Sequence, residues 1–155
     1  MGDVAILATI LNALLEQNKG IKITVLTQKK FSPIFKGLKN TTVHSVETKT
    51  KHKGFFGIFK LYKELKKQNF TAIADVHNVL RSTILKILFL GKTFVQIDKG
   101  RKEKKNLISK RYFAQLKTSH ERYAEVFRKL GFTINLSNPK LPNKAILPYK
   151  VKKFF

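Results

Sequence analysis

Cysteine is absent from the chain, which excludes disulfides, thiolate-bound metals and a cysteine nucleophile, and fits a reducing compartment such as the cytoplasm. Acidic residues are scarce: nine Asp and Glu face 32 Lys and Arg, leaving a net charge of +23. Such a field attracts phosphates, carboxylates, nucleic acid or anionic lipid, and lies far outside what an enzyme of neutral small molecules needs. Arginine is also sparse, with five residues against 27 lysines, whereas bidentate readers of phosphate and guanine rely on arginine. A lysine-biased composition spread over solvated faces accounts for the charge equally well. Long hydrophobic runs are missing too: no stretch approaches the ~20 apolar residues of a spanning helix, so a soluble or peripheral protein is expected. Residues 4–15 have the length of a signal-peptide core. Against that, Asp3 stands where a positive segment belongs, Thr9 and Asn12 interrupt the run, and no small-residue cleavage site follows before Lys19-Gly20. The four histidines, at 44, 52, 77 and 120, lack metal-ligand spacing, so no metal is expected.

What remains is a folded composition, 43% hydrophobic with 13 Phe in 155 residues, enough for one domain with a real core. Gly2-Asp3 leads into Ile6, Leu7, Ile10, Leu11, Leu14 and Leu15 at helical spacing, which predicts a turn into a buried helix. Short β-branched runs at 22–27, 41–46, 71–76 and 93–97 read as strands. Between them a short helix is expected over 31–37 with Ser32 as cap, a helix over 55–68 with Phe55, Ile58, Phe59, Tyr62 and Leu65 as its apolar stripe, and a helix over 80–90. Residues 47–57 and 98–105 read as exposed basic loops. Residues 106–130 read as helical with a break near 117–119, where Thr118 or Ser119 caps the last helix. The alternation predicts right-handed crossovers and a parallel sheet. Beyond Gly131, Pro139, Pro142 and Pro148 mark an extended linker.

In such sheets ligands gather at the carboxyl ends of strands, where helix N-termini present free N–H groups. Asp3 is there as a candidate base or, alternatively, as a helix cap whose amide bonds would weaken its basicity. Asp75, at the end of a strand, is a site residue or a cap, and His77 and Asn78 form the turn that follows it. Arg81 and Ser82 open the next helix, where they could hold a phosphate or carboxylate, or simply face solvent. Lys49, Lys51, Lys53, Arg101, Lys102, Lys104 and Lys105 form a basic rim or solvated charge runs.

Met-Gly-Asp-Val at 1–4, Ala-Asp-Val-His-Asn-Val-Leu-Arg-Ser at 74–82, the basic loop around Lys51-His52-Lys53-Gly54, Asp98-Lys-Gly-Arg101 and His120-Glu-Arg-Tyr123 stand in an order and spacing that resembles the N-terminal half of the family 9 glycosyltransferases, the bacterial ADP-heptose:lipopolysaccharide heptosyltransferases. The resemblance covers roughly residues 1–132. It implies an α/β fold: a Rossmann-like parallel sheet flanked by helices, the acceptor-side domain of a GT-B glycosyltransferase, here lacking its first strand. Residues 1–131 would be that domain, and 132–155 a proline-containing linker towards an absent nucleotide-sugar domain, which a separate chain could supply. It further implies an inverting, metal-free transfer with no cofactor, ADP-heptose as donor and Asp3 as general base. The acceptor would be the anionic, lipid-linked core of lipopolysaccharide at the inner face of the cytoplasmic membrane. Gly2, Lys51, Lys53, Asp75, His77, Asn78, Arg81, Ser82 and Arg101 would bind it. The fragment alone is expected to be inactive.

The competing class is a basic nucleic-acid-binding domain, favoured by charge alone. Against it, Phe55, Phe59 and Tyr62 fall on a helical stripe instead of alternating with lysines on a sheet, and no RRM, KH or helix-turn-helix signature occurs.

Overall fold

The structure, a computed structural model, describes residues 2–111 and 113–137. Helix α1 (Gly2–Gln17) is followed by strand β1 (Ile23–Gln28), a short 3-10 helix (Lys29–Phe35) and strand β2 (Thr41–Val46). Helix α2 (Gly54–Lys66), strand β3 (Ala72–Asp75), helix α3 (Leu80–Leu88) and strand β4 (Thr93–Gln96) come next. Helices α4 (Arg101–Ile108) and α5 (Ser119–Lys129) complete the described elements.

The strands form two parallel pairs. Ile23 to Gln28 run in register with Thr41 to Val46, and Ala72 to Asp75 with Thr93 to Gln96. Among the described residues each strand therefore pairs on one edge only. Side chains alternate across a strand, and here the alternation separates two cores. Ile23, Val25, Val43, Ala74 and Val95 turn to the side of α1 and α5, while Val46, Ile73 and Phe94 turn to the side of α2 and α3. Both strand pairs thus feed both cores, which makes an α/β layering with helices on each side.

The larger core is built on α1, whose Ile10, Leu11 and Leu14 are buried against Phe35, Tyr123, Val126 and Phe127. Each such side chain contributes about 2 kcal/mol on removal from water. The chain after α5 is tied to the same core. Asn18 donates to the Thr133 carbonyl at 2.7 Å and accepts its amide at 3.2 Å, and Gln17 does the same for Asn135 at 2.9 and 2.7 Å. These side-chain amides stand in for a neighbouring strand and seat Ile134 in the core. The expected linker begins at 132, and its portion from 138 onward lies outside the described residues, as does Met1.

Four expectations are corrected. Residues 98–105 are not all loop: Gly100, in the left-handed region, launches α4 at Arg101, and the Arg-Lys-Glu-Lys-Lys run has the straight side chains that helices favour. Residues 109–111 and 113–118 lie outside any helix, so the expected helix over 106–130 is really the end of α4 and α5. Thr118 caps α5 by accepting the Glu121 amide at 3.2 Å. Ser32 lies inside the 3-10 helix and meets the Ser45 hydroxyl at 3.2 Å, leaving the start of that helix without a side-chain cap. On α2 the buried positions are Gly57, Ile58, Leu61 and Leu65, and Phe55 and Phe59 are exposed.

Candidate functional site

The 47–57 segment, expected to be an exposed basic loop, gives its last four residues to α2, and the remaining 47–53 stretch is built around a buried side chain. His52 is 1% exposed; its Nδ1 accepts the Glu47 amide at 3.1 Å, which fixes the proton on Nε2. That Nε2 lies 3.4 Å from Glu64 without hydrogen-bond alignment. Glu64, on α2, also meets Lys51 at 2.8 Å and His44 at 3.3 Å. The Lys51 hydrogen bond, helped by His52, holds the Glu64 carboxyl below its ordinary range. Arg81 donates to the His52 carbonyl at 2.7 Å. A β-carbon on Gly57 would lie 2.2 Å from the His52 carbonyl carbon, so only glycine lets α2 start this close to the loop.

Asp75 is turned into its own turn. It accepts the His77 amide at 2.9 Å, the Asn78 amide at 2.8 Å and Gln96 Nε2 at 3.0 Å. Burial pushes its carboxyl up, but hydrogen bonding to Ser82, Gln96 and the two amides outweighs this and leaves it below the usual range. Asn78, at φ 43°, donates to the Ile97 carbonyl at 3.0 Å and so joins the ends of β3 and β4. Ser82 accepts the Val79 amide at 3.0 Å at the start of α3.

At the carboxyl ends of β3 and β4 this turn opens into a pocket of about 270 Å³. Asp3 enters from the first turn of α1, His77 from beyond β3, Lys99 from beyond β4, Lys104 from α4, and Ser119, Arg122 and Tyr123 from the start of α5. Arg122 is buried and committed: it donates to Glu103 at 2.6 Å and to the Asp98 carbonyl at 3.4 Å. Gly100 lies beneath it, and a β-carbon there would come 2.3 Å from the guanidinium. Burial pushes the Tyr123 hydroxyl up, and the nearby Asp3 charge adds to this. Tyr123 therefore remains a neutral hydrogen-bond donor beside a carboxylate. A second, more open hollow of about 260 Å³ lies at the ends of β1 and β2, lined by Lys29, Lys30, Glu47 and Lys49 among others.

Of the residues named from sequence, Asp3, His77 and Lys104 meet in the first pocket. Gly2 is the residue before Asp3 on α1. Lys51 is paired to Glu64, Lys53 precedes α2 in solvent, Arg81 braces the 47–53 loop, and Arg101 is exposed at the start of α4. Asp75, Asn78 and Ser82 shape the turn that supports His77. Lys99, Ser119, Arg122 and Tyr123 line the pocket without having been expected there: Ser119 is named from sequence only as a helix cap, and the other three only within the motifs of the resemblance. Arg122 and Tyr123 stand in the His120-Glu-Arg-Tyr123 run and fall on the buried side of α5. Among the described residues no group of His, Asp and Glu is arranged to hold a metal, and no helix is long and apolar enough to cross a membrane. Comparison with protein-family models, curated proteins and solved structures gave no match.

Proposed function

We propose that this chain is the acceptor-side half of an inverting, metal-free family 9 glycosyltransferase that acts on an anionic, lipid-linked core glycan. The observation that carries this proposal is the position of Asp3, a carboxylate lining a pocket at the carboxyl ends of two parallel strands, beside Lys99 and Lys104. In the proposed step Asp3 takes the proton of an acceptor hydroxyl while that oxygen attacks the anomeric carbon of ADP-heptose. The bond from that carbon to the diphosphate breaks, configuration inverts, and ADP leaves with the electron pair. Lys99 and Lys104 suit acceptor carboxylates or phosphates. The Tyr123 hydroxyl, kept neutral by burial and by Asp3, can orient the carboxylate. On this reading a donor-binding domain holds the nucleotide-sugar, and turnover depends on it as well as on the acceptor side.

The split sheet fits the same proposal. Two parallel pairs that share both cores, with helices on each side, are compatible with the Rossmann-like layering that this reading requires.

The test is an NMR titration of the full chain with deacylated lipopolysaccharide core oligosaccharide. Shifts centred on Asp3, His77, Lys99 and Tyr123 are expected, with binding weakened by Lys99→Glu and largely kept in Asp3→Asn. Absence of shifts at the pocket would overturn the proposal. Binding of random-sequence DNA that survives physiological salt would favour the nucleic-acid alternative.

A further inference from the structure

We propose that the outer face of the α2–α3 layer is a docking surface for an anionic phospholipid bilayer, with Phe55, Phe56 and Leu80 entering the interface and the surrounding lysines meeting the headgroups. Seven of the ten large hydrophobic side chains exposed among the described residues fall between Phe55 and Leu90. Phe56 is 89% exposed, Leu90 82%, Leu80 79%, Phe55 63% and Ile87 60%. Isolated exposed apolar residues need no explanation, but a concentration on one layer does.

The corner is held in place. Gly57 seats the first turn of α2 on the His52 backbone, and Arg81, in the first turn of α3, grips the His52 carbonyl. The Phe55-Phe56 pair, whose rings meet edge to face at 6.4 Å, stands in that first turn of α2, and Leu80 immediately precedes Arg81 at the start of α3. Two cations already ride on aromatic faces, Lys63 over Phe59 at 5.5 Å and Lys66 over Tyr62 at 5.7 Å. Lysine heads above a layer of rings is the arrangement expected at a lipid interface.

Charge selects the occupant. Residues 48–97 carry ten Lys and Arg against two carboxylates, Glu64 and Asp75. Asp75 is buried and Glu64 is engaged by Lys51 and His44. A second copy presenting the same face would set like charge against like, which disfavours a homodimer through it. Nucleic acid would use the lysines but leave Leu80, Ile87 and Leu90 uncovered, since aliphatic side chains offer bases no ring to stack on. An anionic bilayer satisfies both kinds of side chain.

The surface owes nothing to the chemistry of the pocket, so either proposal survives the failure of the other. The test is co-sedimentation of the full chain with phosphatidylethanolamine/phosphatidylglycerol vesicles and with phosphatidylcholine vesicles. Binding to the first and not the second is expected. Phe55→Ser with Phe56→Ser should weaken it roughly tenfold with an unchanged circular dichroism spectrum. The chain has no tryptophan, so Phe56→Trp gives a clean reporter whose emission should shift to the blue on anionic vesicles and stay shifted in high salt. Failure of the parent chain to bind anionic vesicles would overturn the proposal. So would a serine variant that binds like the parent, or a tryptophan that stays in water on the bound vesicle.

Discussion

The two cores on either side of the strands are made differently. The α1–α5 core collects side chains from α1, the 3-10 helix, both strand pairs, α5 and the segment after it. The α2–α3 core is smaller, draws mainly on two helices, and leaves the same helices with apolar side chains on their outer surface. A helix whose only task is to cover a sheet needs one apolar stripe. The exposed apolar residues on α2 and α3 lie beyond that stripe, and the contrast separates the residues packed in the two cores from the residues on which the docking proposal rests.

Substitutions sharpen that contrast. Leu14→Ala, in the larger core, should cost about 3–4 kcal/mol in urea denaturation and Leu61→Ala, in the smaller one, about 2–3 kcal/mol. Equal and small losses would mean that neither core is packed as described. Gly57→Ala should cost about 2 kcal/mol, because its methyl would meet backbone and not a side-chain end that can swing away. A neutral result would show that α2 is not seated on His52.

Asp75→Asn should cost about 1–2 kcal/mol by weakening a satisfied buried turn. Because the folded carboxyl lies below its ordinary range, its contribution is present above the unfolded value and is lost as pH falls through the folded one. Parent and variant should therefore converge in stability as the solution is acidified through and below the usual carboxylate range; parallel curves would contradict this. The smallest effect belongs to Phe56→Ala, expected within about 0.5 kcal/mol of the parent. A large loss there would make Phe56 a packing residue and remove it from any docking surface.

The four strands and the helices over α1, α2 and α3 were legible because their apolar periods and Gly or Asn stops agree with the tertiary outcome. The α4 run was misjudged since charge density looks the same in a loop and on an exposed helix, and only the Arg122–Glu103 contact distinguishes them. In the pocket, Asp3 and His77 could be named because each stands at a junction between elements. Tyr123 and Arg122 could not, because their importance comes from α5 packing on α1, a long-range contact that leaves no local pattern. His52 was the least legible: in sequence it is one more polar residue among lysines, while in the fold it is the buried post of its loop.

The seating of Arg122 on Gly100 decides what kind of wall a guest would meet. With its charge already answered by Glu103 and its plane wedged above a residue that has no side chain, the guanidinium acts as masonry. The mobile attraction falls to Lys99 and Lys104, two flexible ammonium groups that can follow an anion as it turns. Selectivity at such a mouth would rest on reach and number of charges, with little demand on the guest's planar geometry.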